Sequence, residues 1–321
     1  MRVVFLGSPP YATPILKRLF DSPFAPEAVV TQPTRRSGRG RKAAPQPVVE
    51  LVEAQRAAGR EVDLFQPERA SDPEFRERLW ALEPDLLLVA SYGELLDQEL
   101  LDLPPLGCLN VHASLLPRHR GASPVQAAIL AGDAETGVSI QRMVLKLDAG
   151  DVLLEERLAI GERETAGELF NRLADLGAEC AVRALEVVAA GEATYTPQDE
   201  AGVTRCRKLK KKHGRLDWSQ DVGAIDRRVR AMTPWPSAWT TLPGGRVLTL
   251  LEGEPVERHS HPAPGALGTE LSEGRLVVGC ADGAFEARSV KPAGKGAMAS
   301  ADFLRGAHLE AGNLLGLEDP A

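Results

Sequence analysis

The 321-residue chain has four cysteines, at positions 108, 180, 206 and 280, and no two of them stand in C-x-x-C spacing. Their scatter suggests neither a zinc site nor a disulfide framework, and leaves reduced, mostly buried thiols as the expectation. No apolar run approaches the ~18 residues that a membrane-spanning helix needs. The apolar start at 3–6 runs at once into Gly7-Ser8-Pro9-Pro10, which is neither a secretory signal nor an anchor. A cytoplasmic protein without a membrane partner is expected. The Gly-x-Gly-x-x-Gly fingerprint is also missing from the first strand-to-helix turn, where two prolines remove amide donors that a pyrophosphate would need. A dinucleotide site is thereby excluded from that position.

What is present is an ordinary globular composition, 43% hydrophobic and 26% charged. The length exceeds what one core usually supports, so two domains are expected. The net charge of −7 is unevenly spread: residues 1–204 carry 21 basic and 31 acidic side chains, whereas residues 205–321 carry 17 and 14. Any polyanion would therefore be held by local patches rather than by the overall field. The excess of Arg over Lys, 29 against 9, carries no functional reading.

Along the first part, short apolar runs alternate with helical stretches. Strands are expected at 2–6, 28–31, 86–90, 108–111 and 138–143, and helices at 11–20, 47–58, 72–82, 124–131 and 166–190. Such alternation predicts an α/β domain with an open, mostly parallel, Rossmann-like sheet, whose chemistry lies beyond the carboxyl ends of the strands. After a polar connector the pattern changes to one helix at 222–232 and short strands at 238–242, 246–251, 276–278 and 284–289, separated by Gly-Pro turns. This predicts a second, smaller OB-like β-barrel domain, a type that commonly binds nucleic acid. The expected division is 1–191 for the first domain, 192–207 for a linker and 208–321 for the second.

The densest chemical signal is 109–121, Leu-Asn-Val-His-Ala-Ser-Leu-Leu-Pro-Arg-His-Arg-Gly. Asn110 and His112 are two apart at the end of a strand, so alternation places both on one face at the sheet's edge. A carboxamide can donate to a developing oxyanion, and an imidazole can move the proton of an attacking amine. Taken alone, Asn-x-His fits a structural histidine equally well. Asp148 follows a strand and precedes a glycine turn, where a carboxylate can fold back over the strand ends and orient a histidine. Asp148 and Asp151 fit turn capping as well.

Two basic clusters stand apart. One is Arg35, Arg36, Arg39, Arg41 and Lys42, interleaved with Gly38 and Gly40 and followed by Pro45 and Pro47, which forbid a regular helix. The other comprises Arg205, Arg207, Lys208, Lys210, Lys211, Lys212 and Arg215. So many neighbouring cations repel one another unless a polyanion relieves them.

Asn110-Val111-His112 with Ser114-Leu115-Leu116-Pro117, followed by Leu147-Asp148-Ala149-Gly150-Asp151, resembles the signature of the folate-dependent formyltransferases. The resemblance runs nearly end to end. It includes Phe5-Leu6-Gly7-Ser8-Pro9, Thr31-Gln32-Pro33, Gly38-Arg39-Gly40-Arg41-Lys42, Ala90-Ser91-Tyr92-Gly93, Leu216-Asp217-Trp218, Pro234-Trp235-Pro236 and Pro292-Ala293-Gly294-Lys295. It implies that Asn110, His112 and Asp148 are the catalytic trio and that 10-formyltetrahydrofolate is the formyl donor, with no metal required. It further implies a pterin pocket lined by Leu87, Leu88, Val89, Ala90, Ser91 and Tyr92 together with Ser114, Leu115, Leu116 and Pro117. The extent of the match favours the branch whose acceptor is methionyl initiator tRNA, and implies that the loop with Arg36, Arg39, Arg41 and Lys42 enters the acceptor end. Arg207, Lys208, Lys210 and Lys211 are expected to hold the same tRNA on the ground of their charge, many family members having acidic residues mixed into that segment. A monomer is implied. Gly7-Ser8-Pro9-Pro10-Tyr11-Ala12 departs from the family's usual Gly-Thr-Pro-Asp-Phe-Ala, which removes an acid outside the trio. Two other readings are a formyltransferase acting on a small amine, such as an amino sugar nucleotide or glycinamide ribonucleotide, and a non-catalytic RNA-binding protein on the same fold. The first has no need of the charged loop, and loss of a trio member would favour the second.

Overall fold

The computed structural model describes residues 1–33, 46–257 and 261–320. In chain order the elements are β1 (Val3–Gly7), α1 (Ala12–Phe20), β2 (Ala28–Val30), α2 (Pro47–Ala57), β3 (Asp63–Phe65), α3 (Pro73–Ala81), β4 (Leu86–Ala90), α4 (Gln98–Asp102), β5 (Cys108–His112), β6 (Arg120–Gly121), α5 (Pro124–Ala131), β7 (Glu135–Arg142), β8 (Val152–Ala159), α6 (Ala166–Ala189) and β9 (Arg205–Cys206). There follow α7 (Val222–Met232), β10 (Ala238–Thr241), β11 (Val247–Val256), β12 (Leu276–Gly279), β13 (Ala284–Pro292), β14 (Met298–Ala299) and α8 (Ser300–Leu304). The chain packs as two units. One comprises Met1–Pro124, Glu135–Ala159 and Phe170–Cys206, and the other Val125–Ala134, Ile160–Leu169 and Arg207–Ala321.

In the first unit a seven-stranded sheet has the order β3-β2-β1-β4-β5-β7-β8. Strands β1 and β4 are buried at every position. Their unbroken apolar runs are what an interior parallel strand, covered on both faces, demands. The first five strands are parallel, whereas β7 runs antiparallel to β5 and β8 antiparallel to β7. The strand expected at 138–143 is thus one arm of a hairpin, and its return strand β8 has no counterpart among the expected strands. The sequence of β8, Val-Leu-Leu-Glu-Glu-Arg-Leu-Ala, is half-exposed and lacks a long apolar run. Strand β3 is three residues long, too short for a period to register.

The helices follow from local rules. In α1 the residues Ala12, Ile15, Leu16, Leu19 and Phe20 are buried, an i, i+3, i+4, i+7, i+8 stripe. Each large member contributes roughly 1.5–3 kcal/mol through burial. Helix α3 starts where Asp72 accepts hydrogen bonds from the Glu74 and Phe75 amides, with Pro73 in the first turn. The segment expected to be a linker is not bare coil: Thr196 exchanges main-chain hydrogen bonds with Val152, and β9 pairs in parallel with β6.

The second unit contains an antiparallel sheet, β10-β11-β13-β12, with β14 added to β13. A register shift between Leu250 and Gly253 marks a bulge in β11, which bends and twists the strand. Ile225, Val229 and Met232 of α7 join Phe285, Leu248, Val278 and Trp218 in its core. The Trp218 indole N–H is satisfied by Thr240 Oγ1 at 3.1 Å. No helix among the described residues is long and apolar enough to cross a membrane.

Candidate active site

The antiparallel pairing of β5 with β7 places Asn110 opposite Gln141 and His112 opposite Ser139. Four polar side chains therefore stand in two cross-strand pairs. Ser139 and Gln141 are buried. Ser139 Oγ accepts from the Leu116 amide at 3.0 Å and donates to the Ser114 carbonyl at 2.8 Å, which pins the chain leaving β5. Ser114 Oγ in turn donates to the Arg118 carbonyl at 2.7 Å.

The loop between β7 and β8 carries Asp148 back over these strands. It closes on β7 because residue 150 is glycine: a Cβ there would lie 1.7 Å from the Arg142 carbonyl oxygen. Asp148 itself has φ +50°, a left-handed conformation that Asp tolerates better than most side chains. Its Oδ1 accepts from Gln141 Nε2 at 3.0 Å and from Asn110 Nδ2 at 3.5 Å, and its Oδ2 accepts from the Gly121 amide at 2.8 Å. His112 Nδ1 lies 3.7 Å from Asp148 Oδ1, with only 7% and 9% of the two side chains exposed. Little water intervenes, so charge developing on the imidazole is felt strongly by the carboxylate.

The tautomer of His112 follows from its other nitrogen. Nε2 faces the His119 carbonyl at 3.2 Å. A carbonyl can only accept, so Nε2 carries a hydrogen, and in the neutral ring the Nδ1 lone pair is the one turned toward Asp148. The side chains singled out in the sequence, Asn110, His112 and Asp148, are thus brought together around Asp148 Oδ1.

Residues that sequence reasoning missed complete the surroundings of Asp148. They are Gln141, Gly121, Arg120 and Gln198. Gln198 Nε2 donates to the carbonyls of Asp148 and Gly150, at 3.0 and 2.6 Å, and its Oε1 accepts from Arg120 Nε at 2.9 Å. The Arg120 side chain is fully buried and also pairs with Glu200 at 3.1 Å. Hydrogen bonds from Lys146, then from Arg120, hold the Glu200 carboxyl below its ordinary range. One signal for Gln141 was available: Ser139 and Gln141 alternate with Val138 and Ile140, so one face of an apolar strand is polar. Nothing local marked Gln198.

Of the residues expected around the pterin, Leu87 and Leu88 lie in the sheet interior and Ser91 is exposed with φ +51°. The Tyr92 ring is packed into the apolar cluster of the first unit. Burial, reinforced by Glu94, pushes its hydroxyl well above the ordinary phenol range. The Tyr92 carbonyl accepts from Ser8 Oγ at 3.2 Å. Leu115 and Pro117 are partly exposed, whereas Leu116 is buried. Next to Asp148, the side chains of Val144, Leu145 and Leu147 are exposed. A depression of about 190 Å³ lined by Phe65, Phe75 and Arg78, among others, touches none of the trio. Among the described residues no three His, Cys, Asp or Glu side chains gather as metal ligands would.

Arg36, Arg39, Arg41 and Lys42 lie outside the described residues. In the second unit Arg207, Lys208, Lys210 and Lys211 run along the surface, with Arg207, Lys210 and Lys211 among its exposed side chains. Beside them the Lys210 amide donates to His213 Nδ1 at 2.9 Å. Desolvation, followed by the charges of Arg207, Lys212, Lys210 and Arg228, lowers the pKa of that imidazole. The segment thus carries a positive field.

Comparison with known proteins gives this geometry a setting. The family model described as formyl transferase matches residues 1–185, and that described as formyl transferase, C-terminal domain, matches residues 208–308. The methionyl-tRNA formyltransferase of Methylococcus capsulatus is 46% identical over 98% of this chain and 100% of its own length. That of Gluconobacter oxydans is 44% identical over the same shares. Among solved structures, Aquifex aeolicus HypX in complex with tetrahydrofolic acid superposes with a TM-score of 0.61 at 21% identity, covering 95% of this chain and 47% of that one. A Helicobacter canadensis N-formyltransferase in complex with folinic acid and dTDP-3-aminofucose gives 0.68 at 13% identity, covering 89% and 98%. These two likenesses show the fold. With both family models matched in order, and with methionyl-tRNA formyltransferases similar along nearly its whole length, the chain belongs to the methionyl-tRNA formyltransferase family.

Proposed function

We infer that this protein transfers the formyl group of 10-formyltetrahydrofolate to the α-amino group of methionyl initiator tRNA. One observation carries the chemistry: an amide donor, an imidazole and a carboxylate meet around Asp148 Oδ1, with the His112 and Asp148 side chains largely shielded from water. As the amine attacks the formyl carbon, the formyl oxygen gains charge, which Asn110 Nδ2 is suited to hold. Its one bond among the described residues is long, 3.5 Å, so an N–H remains for that oxygen. His112 Nδ1 takes the proton that the attacking nitrogen sheds, and the adjacent carboxylate stabilises the resulting imidazolium. When the bond between the formyl carbon and N10 breaks, N10 recovers a proton from the same pair.

The donor's ring system would lie between the end of β4, from Leu87 to Tyr92, and the loop before Asp148. The peptide chain there turns through the left-handed residues Ser91 and Gly93, leaving main-chain groups beyond the sheet's ladder. The exposed side chains of Val144, Leu145 and Leu147 offer apolar surface for a planar ring to cover. Ser114, Leu115, Leu116 and Pro117 would border the same space.

Residues 1–191 supply the chemistry in this reading and 208–321 act as an OB-like tRNA-binding domain, joined through 192–207. The run Arg207, Lys208, Lys210 and Lys211 suits phosphate contacts, and Arg36, Arg39, Arg41 and Lys42 are assigned to the acceptor end. The enzyme acts as a cytoplasmic monomer. The test is incubation of the purified protein with 10-formyltetrahydrofolate and charged initiator tRNA, with free methionine and an amino sugar nucleotide as competing acceptors. Formylation of the charged tRNA alone is expected; preference for the sugar nucleotide would overturn the reading.

A further inference from the structure

Catalysis by Asp148 requires its carboxylate to be held toward His112 and Asn110, yet it sits on a turn whose main chain is left-handed at that residue. The carbonyls of that turn are fastened from 50 residues further along. Gln198 Nε2 donates to the Asp148 carbonyl at 3.0 Å and the Gly150 carbonyl at 2.6 Å, with Gln141 Oε1 also within reach at 3.4 Å. Gln141 turns its own Nε2 to Asp148 Oδ1. The orientation of the Gln198 amide is not free, because Arg120 Nε occupies its Oε1. The residue after Arg120, Gly121, donates its amide to Asp148 Oδ2. A closed ring of hydrogen bonds therefore runs from Arg120 through Gln198, Gln141 and Asp148 to Gly121.

We propose that Gln198 is a positioning residue for catalysis: its amide N–H groups clamp the turn at 148–150 and thereby aim the Asp148 carboxylate at His112. The inference rests on the catalytic reading of Asp148 given above. The competing explanation is that Gln198 merely solvates the buried Arg120 guanidinium. Chemistry separates the two. In Gln198→Glu the carboxylate would serve Arg120 at least as well as the amide does, but it would turn an acceptor toward two carbonyl oxygens and release the turn.

The experiment measures kcat, both KM values and melting temperature for Gln198→Glu and Gln198→Met in the full-length enzyme. Hydrogen exchange of the segment 143–151 is followed in parallel. The clamp predicts a kcat lower by roughly 10–100-fold in Gln198→Glu, the scale of a catalytic group misplaced by about 1 Å. Both KM values stay near wild type, and exchange accelerates in 143–151. Should Gln198→Glu not fold, Gln198→Met, which keeps the length of the side chain, decides by the same readouts. Wild-type kcat in the folded variant overturns the clamp, as does a loss confined to KM. Asp148→Asn serves as the control: if it also keeps wild-type kcat, the catalytic reading of Asp148 has failed, whereas if it alone is inactive, only the clamp has failed.

Discussion

Replacing Asp148 with Asn tests the site most directly, because both carboxylate oxygens face N–H donors. Oδ2 accepts from the main-chain amide of Gly121 at 2.8 Å, a donor that cannot turn away. The carboxamide oxygen of Asn must take that place, so its NH2 group faces Gln141 Nε2, Asn110 Nδ2 and His112 Nδ1. Two donors then oppose it, and the third neighbour is the lone pair that should receive the substrate's proton. The variant loses the attraction between carboxylate and imidazolium and also occupies the base. At the 3.7 Å separation, two unit charges attract by about 4 kcal/mol at an effective dielectric constant of ~20. That converts to roughly a 10³-fold loss in kcat. Folding should suffer less, by about 1.5–3 kcal/mol for a charge-assisted hydrogen bond replaced by a poor one. The assay is the initial rate of formylation of charged initiator tRNA at saturating donor, alongside a thermal melt. A folded variant within about tenfold of the wild-type rate would show that the Coulombic estimate, and the role built on it, is misplaced.

Gly121→Ala should destabilise the first unit by roughly 2 kcal/mol or more, since a Cβ at φ +126° would lie 1.9 Å from the Cys206 carbonyl oxygen; an unchanged melting temperature would contradict this. Glu286, held by Arg275 at 3.1 and 2.5 Å, has its pKa lowered first by that hydrogen bond. Its stabilisation is therefore present above the unfolded carboxylate's pKa and lost as pH falls through the lowered one, so Glu286→Gln should cost about 0.5–1 kcal/mol at neutral pH and nothing in strong acid. Denaturant titrations across that range check this: a difference that stays constant, or that grows as pH falls, would refute it. Joint reversal of Lys208 and Lys211 to Glu should raise KM for tRNA, leave KM for the donor unchanged and flatten the dependence of tRNA binding on salt, by a slope of about 1 for each phosphate left without its lysine; a variant with the wild-type salt slope would remove these lysines from the interface.

The extent to which this protein could be read from its residues depends on how far apart the interacting partners lie along the chain. Strands β1 and β4 were legible because burial on both faces requires an unbroken apolar run, and α1 because its buried stripe repeats at helical spacing. Asn110 and His112 were legible as a pair since alternation along one strand puts them on one face. By contrast, β8 shows the mixed pattern of an edge strand, and β3, three residues long, spans too little more than one strand period to register. The short β6–β9 pairing joins Gly121 to Cys206 across the whole of α6, which no local pattern reports.

By itself the sequence determined the longer apolar strands and amphipathic helices, though not β3, β8 or the short β6–β9 pairing, together with the chemical types available at the end of β5 and the family resemblance. Only the tertiary structure decided that β7 runs antiparallel to β5, which seats Gln141 beside Asn110 and returns the following loop over the site. It alone decided which tautomer His112 adopts, through the carbonyl of His119. It also recruited Gln198 and Arg120 to Asp148. A side chain's residue type and its neighbours in the chain fix what it can donate or accept, but the partner it meets is set by backbone packing over tens of residues.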